Sequence, residues 1–270
     1  MKRANRILTI LIFIFLYVPM AVLIVASFNT GKDVTQFEGF TLRQYARLFQ
    51  DRTLLKLLGN SLLVSVLASF IATVFGTVAS LGIYNLNPRL RKAAMTLTNI
   101  PMTNPDIVTG VSLSLLFVFV GTRMLGQRNS LTFWTLLIAH ITFNLPYVIL
   151  NVLPKLAQTD RHLSEAALDL GATETQAFFK VVLPAISPGI LSGFLMAFTL
   201  SIDDFVISYY TTGADFVTLP LKIYAMTKKT VKPDMYALST IIFVTVLMLL
   251  VCINLMQFKA EKKSHRAPHK

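Results

Sequence analysis

Acidic residues are scarce in this chain. Thirteen Asp and Glu stand against 25 Lys and Arg, and charged residues of both signs make up only 14% of the 270 positions. Cysteine occurs once, at Cys252, so the chain can close no internal disulfide and build no cysteine metal cluster. Set within an apolar run, Cys252 reads as a small packing residue. Histidine occurs four times; His265 and His269 are four apart, but a pair in a basic tail does not make a metal site, and none is expected. His140 falls in an apolar run and reads as a hydrogen-bonding group inside the membrane. The phosphate-cradling pattern G-x-x-x-x-G-K-[ST] is missing: Gly31-Lys32 lacks the earlier glycine and the following hydroxyl. The chain is therefore expected to have no nucleotide motor, bound cofactor or enzymatic activity of its own.

What the chain has instead is long hydrophobic runs. Hydrophobic residues make up 54% of it, and the mean hydropathy is +0.63. A membrane-crossing helix needs about 20 predominantly apolar residues, and six windows qualify: Ile7–Phe28, Leu57–Tyr84, Met95–Val120, Leu131–Leu153, Gly189–Thr211 and Tyr236–Phe258. The expectation is an all-α integral membrane protein forming one transmembrane domain over residues 1–270. The N-terminal apolar stretch is too long for a signal-peptide core and reads as an uncleaved span. The net charge of +12 then reads as a topology signal rather than as nucleic-acid binding. With the N-terminus inside, segments 1–6, 85–94 and 259–270 carry 11 basic residues in 28 positions, against 11 in 62 for the outer segments. Both termini are then cytoplasmic, and so are the loop at about 154–188 and the basic tail at 259–270.

Polar features inside the spans narrow the reading. "IPMTNPDIVTG" interrupts the third span, and irregular backbone is tolerated at membrane depth only beside protein or water. Ser61, Ser65, Ser69, Thr73 and Thr77 recur every four residues, as do Gly189, Gly193, Ala197 and Ser201, which suits close packing of helix backbones. Three carboxylates lie within spans, where ionisable groups are costly and point to function. They are Asp106 in the third span, and Asp203 and Asp204 in the fifth. A helix from Gly189 would carry Asp203 roughly 21 Å along its axis, into the outer part of the bilayer. Successive helical residues are about 100° apart, so Asp204 stays near the small-residue face while Asp203 points away, toward a pore or another subunit. Carboxylates with aromatic neighbours suit an organic cation; Tyr17, Phe205 and Tyr209 are candidates, and each also suits ordinary packing or interfacial anchoring.

The stretch "EAALDLGATETQAFFKVVLPAISPG", residues 165–189, is polar, helix-prone and flanked by apolar runs. Thr159 or Asp160 can cap a short helix through Glu165 and Asp169. Gly171 suits the left-handed position that ends it. Thr173 and Gln176 form a capping box for a second short helix, and Leu183-Pro184 is expected to stop or redirect that helix. The small Ala166 and Ala167, with Glu165 and Asp169 on one face, suit docking into a groove of another protein. A solvated amphipathic connector fits the same pattern.

Glu165-Ala166-Ala167, three residues, Gly171, nine residues and then Val181-x-Leu183-Pro184 resembles the EAA loop of ABC importer permeases, with Val181 where the family usually has Ile. "YVPMAVLIVASFN", "GFTLRQYARLF", "PDIVTGVSL", "HITFNLPYVI", "FTLSIDDFVISYYTTG" and "LPLKIYAMTK" extend the likeness over nearly the whole chain, to the C-type permeases of spermidine/putrescine importers. The resemblance implies a type I ABC importer permease with six transmembrane helices in a bacterial inner membrane. It implies that Glu165, Ala166, Ala167, Asp169, Gly171, Leu183 and Pro184 form the coupling loop, and that Tyr17, Asp106 and Asp203 contribute to a polyamine pathway. Implied partners are a homologous second permease, an ABC ATPase dimer that binds ATP and magnesium, and an extracytoplasmic polyamine-binding protein. Importers of other solutes share the loop, so another small organic cation or solute stays open as the substrate. A remote alternative, an intramembrane aspartyl hydrolase pairing Asp106 with Asp203, lacks its glycine-bearing context in "SIDDF".

Overall fold

The computed structural model describes residues 2–31, 36–124, 126, 130–160, 162–227, 235–248 and 251. Cys252, His265, His269 and the tail 259–270 lie outside them. Among the described residues the regular elements are helices: α1 (Lys2–Ser27), α2 (Arg43–Gln50), α3 (Arg52–Asn85), α4 (Pro88–Thr103), α5 (Asp106–Phe119), α6 (Phe133–Gln158), α7 (His162–Asp169), α8 (Glu174–Ala177), α9 (Leu183–Ile202), α10 (Val206–Thr211) and α11 (Leu219–Thr227), then α12 (Met235–Met248). Short π-helical turns, Val120–Met124 and Phe178–Val182, extend α5 and join α8 to α9. Five helical stretches are long and apolar enough to cross a membrane: Asn5–Ser27, Arg52–Asn85, Asp106–Met124, Phe133–Gln158 and Glu174–Ile202. The expected sixth span is represented by the shorter α12, and the rest of Tyr236–Phe258 is described only at Val251.

Three expectations need correction. The third span does not run from Met95 to Val120. Asn104 and Pro105 are extended (ψ 137° and 136°), so α4 ends and the apolar span starts at Asp106. Proline disfavours helical backbone in the residue before it, and Asn104 is that residue. The fifth span does not run unbroken from Gly189 to Thr211, because α9 ends at Ile202 and α10 starts at Val206. Nor does Leu183-Pro184 stop a helix: it opens α9. The chain stays helical from Glu174 to Ile202, and Pro184 follows directly on the π-helical turn Phe178–Val182, the kind of irregularity at which a helix accommodates a proline.

The chain divides into two compact units, one from Met1–Leu57 and Ile223–Cys252, the other from Leu58–Lys222. In the first, the membrane-crossing stretch of α1 is apolar and, from Asn5 to Val22, exposed on all sides, as suits a helix against lipid or another chain. Its C-terminal end is tied to α2 by a Ser27 Oγ–Tyr45 OH hydrogen bond of 2.6 Å and by Phe28, which packs on Phe40 and Tyr45.

The second unit is built around α6. Ala72, Val148, Val152, Leu156, Ile186 and Ala197 form its buried core. The antiparallel α9 presses its small-residue face onto α6: a Cβ at Gly189 would lie 2.9 Å from the Asn151 carbonyl oxygen, and one at Gly193 would lie 3.2 Å from Val148 Cα. At Gly189 a side chain would force the backbones apart, and at Gly193 even a methyl would need α6 to give by a few tenths of an ångström. From α3, Gly76 approaches Val148 in the same way. The Ser61–Thr77 stripe is buried, and Thr73 Oγ1 donates to the Ser69 carbonyl at 2.6 Å. The stripe is therefore a packing face, with its hydroxyls satisfied in part by the helix's own carbonyls.

Candidate functional site: a broken helix and an exposed loop

Two interruptions carry the residues singled out by sequence. The first is the break between α9 and α10. Asp203 ends α9 (φ −101°, ψ −1°), and its side chain is exposed. A helix leaves its last carbonyls without intrahelical partners, and that end carries negative partial charge. The carboxylate of Asp203 and the C-terminal end of α9 therefore put negative potential at one place.

Asp204 turns the other way. Its Oδ1 accepts from the Ile207 N–H at 3.2 Å, and its Oδ2 accepts from the Ser208 N–H at 2.8 Å and the Ser208 hydroxyl at 2.9 Å. It thus caps α10. His140 of α6, 1% exposed, stands beside it. His140 Nδ1 lies 2.6 Å from Ser201 Oγ, Nε2 lies 3.1 Å from Ser208 Oγ, and Nε2 lies 3.5 Å from Asp204 Oδ2. The sequence expectation that Asp203 and Asp204 diverge holds, but not for its stated reason: the helix ends between them. The expectation that His140 is an intramembrane hydrogen bonder holds as well.

Asp106 is exposed in the first turn of α5. A Cβ at Gly110, one turn further on, would lie 3.0 Å from the Tyr210 ring and 3.5 Å from Ile207 Cα, so α5 packs along α10. At the far end of α5, Gly121 meets Ser130. The adjoining Leu131 meets Gly213, and Thr135 Oγ1 donates to the Thr211 carbonyl at 2.9 Å. The C-terminal ends of α5 and α10 therefore coincide, and the two helices run parallel. Asp106 and the Asp203–Asp204 break thus share the opposite end. Phe205 and Tyr209 flank this break, Tyr209 in an edge-to-face contact with Tyr210. Tyr17 lies in the other unit, on α1, stacked on Phe13 with ring centroids 6.2 Å apart.

The second interruption lies between α6 and α9. The Asp160 side chain accepts from the His162 N–H at 3.0 Å and opens α7. Gly171 has φ +83°, which favours glycine. The Ala172 N–H donates to the Ala167 carbonyl at 3.0 Å and the Gly171 N–H to the Leu168 carbonyl at 2.9 Å, which is the Schellman pattern. Both hydrogen bonds of the Thr173–Gln176 capping box are present. Glu165, Ala166 and Asp169 are exposed, Ala167 is partly so, and Leu183 and Pro184 lie at the root of α9. Glu165 Oε2 lies 2.8 Å from His162 Nδ1. That hydrogen bond, followed by the negative charges of Glu165 and Asp160, raises the imidazole pKa of His162. Sequence reasoning missed Leu170, which is 90% exposed beside the glycine turn, and Phe179, also exposed. Their signal was present: large apolar residues at the ends of two short polar helices with no core to join.

Comparison with known proteins follows the same lines. The family model for "Binding-protein-dependent transport system inner membrane component" matches residues 72–263. The spermidine/putrescine transport system permease protein PotC of Haemophilus influenzae is 37% identical over 254 residues, covering 94% of this chain and 95% of that protein. The putrescine transport system permease protein PotI of Escherichia coli K12 is 38% identical over 233 residues, covering 85% of this chain and 82% of that protein. Among solved structures, a chain of a bacterial alginate ABC transporter, crystallised with an alginate pentasaccharide-bound periplasmic protein, superposes with a TM-score of 0.72 at 21% identity, covering 96% of this chain and 94% of that one. An inward-facing MetNI methionine ABC transporter chain gives 0.59 at 16% identity, covering 77% and 94%.

Proposed function

Since this chain belongs to the family of binding-protein-dependent transport system inner membrane components, we propose that it is the membrane-spanning permease subunit of an ATP-driven polyamine importer. The observation that carries the substrate class is the break after Ile202. There an exposed Asp203 carboxylate stands at the C-terminal end of α9, and Asp106 sits at the same end of the neighbouring helix pair. A chain of ammonium groups spaced by methylenes meets carboxylates and carbonyl dipoles at its charges, and aromatic faces along its length. Relatives bearing polyamine names at 37–38% identity support the same reading.

In this reading Asp203 and Asp106 bind the passing cation and Asp204 holds the break in shape; Tyr17 is assigned to the pathway on the resemblance alone. Glu165, Ala166, Ala167, Asp169 and Gly171 form the coupling loop, rooted at Leu183 and Pro184. Its exposed Leu170 supplies an apolar contact to a partner ATPase, where ATP and magnesium are bound. A homologous second permease completes the pathway, and an extracytoplasmic polyamine-binding protein delivers the substrate. Both termini lie in the cytoplasm of a bacterial cell, as the density of basic residues supports.

The test is uptake of labelled spermidine and putrescine in cells stripped of other polyamine systems. Wild type, a deletion of this subunit and Asp203→Asn are compared at equal membrane abundance. Uptake should vanish in the deletion and fall at least tenfold in Asp203→Asn, the loss of one charge-assisted contact of about 1.5–3 kcal/mol. Full uptake of both polyamines in the deletion would overturn the substrate assignment.

A further inference from the structure

His140 has no part in the pathway just described, yet it is the most deeply buried ionisable side chain beside it. It stands on α6 at the point where α9 stops. One ring nitrogen, Nδ1, meets Ser201, in the last turn of α9, and the other, Nε2, meets Ser208, in the first turns of α10. The imidazole therefore bridges the two halves of a broken helix from a third, continuous one. A neutral ring protonated on Nε2 satisfies every polar atom in turn. The Ser201 hydroxyl donates to Nδ1, the Nε2–H donates to Ser208 Oγ, and the Ser208 hydroxyl donates to Asp204 Oδ2. Asp204 then closes the circuit by accepting the Ile207 and Ser208 N–H groups of α10. An apolar residue at 140 would fill the space. It would leave Ser201 and Ser208 without their cross-helix partner, in a setting where unmet polar groups are costly.

From this geometry we infer that His140 is a positioning residue for transport: acting through Ser201, Ser208 and Asp204, it fixes the α9–α10 break in the conformation that turns Asp203 toward the substrate. The inference rests on the pathway reading of Asp203. It also explains why two adjacent aspartates are present. Asp204 is used up in holding the break, which leaves Asp203 available to a cation. A continuous helix would also point the two side chains about 100° apart, but it would offer Asp204 no free helix start to cap.

The experiment is a double-mutant cycle on spermidine uptake by the complete transporter in proteoliposomes, supplied with saturating loaded binding protein and normalised to assembled complex. His140→Ala should lower uptake about tenfold, the scale of one to two lost buried hydrogen bonds. In the Asp203→Asn background the same change should cost less than about twofold, since a misdirected carboxylate that is already absent has nothing more to lose. His140→Gln, which keeps a donor toward Ser208, should recover to within about threefold of wild type. Should His140→Ala fail to assemble, Ser208→Ala removes one hydroxyl from the middle of the circuit and carries the same test: a loss of about threefold in wild type, and none in Asp203→Asn. Equal fold-losses in both backgrounds, or full uptake in both His140→Ala and Ser208→Ala, overturn the inference and leave the pathway reading standing. Wild-type uptake in Asp203→Asn overturns both.

Discussion

The two interruptions of this chain answer the same problem with different materials. In the α6–α9 loop, helices α7 and α8 are ended and restarted by local chemistry alone: a left-handed Gly171, a Schellman pair of backbone hydrogen bonds and a capping box from Thr173 to Gln176. Nothing distant is needed, because the loop is exposed and water can take up whatever backbone groups remain. At the α9–α10 break no glycine or proline interrupts "SIDDF". The backbone is released there with the help of a side chain from far upstream: His140, 61 residues before Ser201 and 68 before Ser208, joins Asp204 in holding both new helix ends. A break in water can be written locally. A break among apolar helices needs a partner brought by the fold.

That contrast ranks the expected consequences of mutation. The largest effect should come from Asp204→Ala. It removes the acceptor for two backbone N–H groups and one hydroxyl, and it leaves His140 beside an empty site, where the Asp204 side chain is only 10% exposed. Loss of a buried, hydrogen-bonded charge of this kind costs about 2–4 kcal/mol. The purified transporter should melt several degrees lower, and uptake should fall with it. An unchanged melting curve would mean that the break holds itself open without side-chain help.

A smaller and differently distributed effect is expected at the other interruption. Gly171→Ala forces an L residue into φ +83°, at a cost of about 1–2 kcal/mol. The loop is exposed and does not support the core, so the strain should be relieved by shifting α7 against α8 rather than by unfolding the protein. ATP hydrolysis should then outrun uptake, with transport per ATP falling several-fold while the melting temperature moves by less than about 2 °C. If stability falls as far as in Asp204→Ala, the loop is part of the core and the contrast collapses.

The same division explains what could be read from sequence. Gly171, the capping box, the spans of α1, α3 and α6, and the small-residue face of α9 were all legible, because each is set by residues within one or two helical turns of one another. The end of α4 was written in Asn104-Pro105 but masked by the apolar residues on either side, which made one continuous run of Met95–Val120. The end of α9 had one local sign, Asp204 placed to cap Ile207 and Ser208, but an unbroken helix through Asp203 and Asp204 suits "FTLSIDDFVISYY" equally well. The contacts of Ser201 and Ser208 with His140 are long-range and invisible to local pattern. Pro184 misled in the opposite direction: a proline shortly after a capped helix looks like a stop, whereas the π-helical turn at Phe178–Val182 carries the chain through to α9.

The smallest effect concerns pH and separates the two interruptions once more. His162 is fully exposed, and its pKa is raised first by the hydrogen bond to Glu165, then by the charges of Glu165 and Asp160. A group whose folded pKa lies above its unfolded value contributes fully below the unfolded value, about 6.5 for imidazole, and loses that contribution as pH rises through the raised folded value. The His162–Glu165 pair should therefore restrain the Glu165 side chain below the unfolded value and release it as pH rises through the raised folded one. Because the pair is in water, salt should weaken it further. Substrate-stimulated ATP hydrolysis by the intact transporter, compared between wild type and His162→Gln, should differ by less than about twofold at pH 6 and 50 mM salt. The difference should shrink as pH rises through the raised pKa, and shrink likewise at about 0.5 M salt. A difference that persists in both conditions would mean that His162 contacts the ATPase directly rather than holding Glu165. The loop would then depend on a partner for its shape, as the membrane break depends on His140.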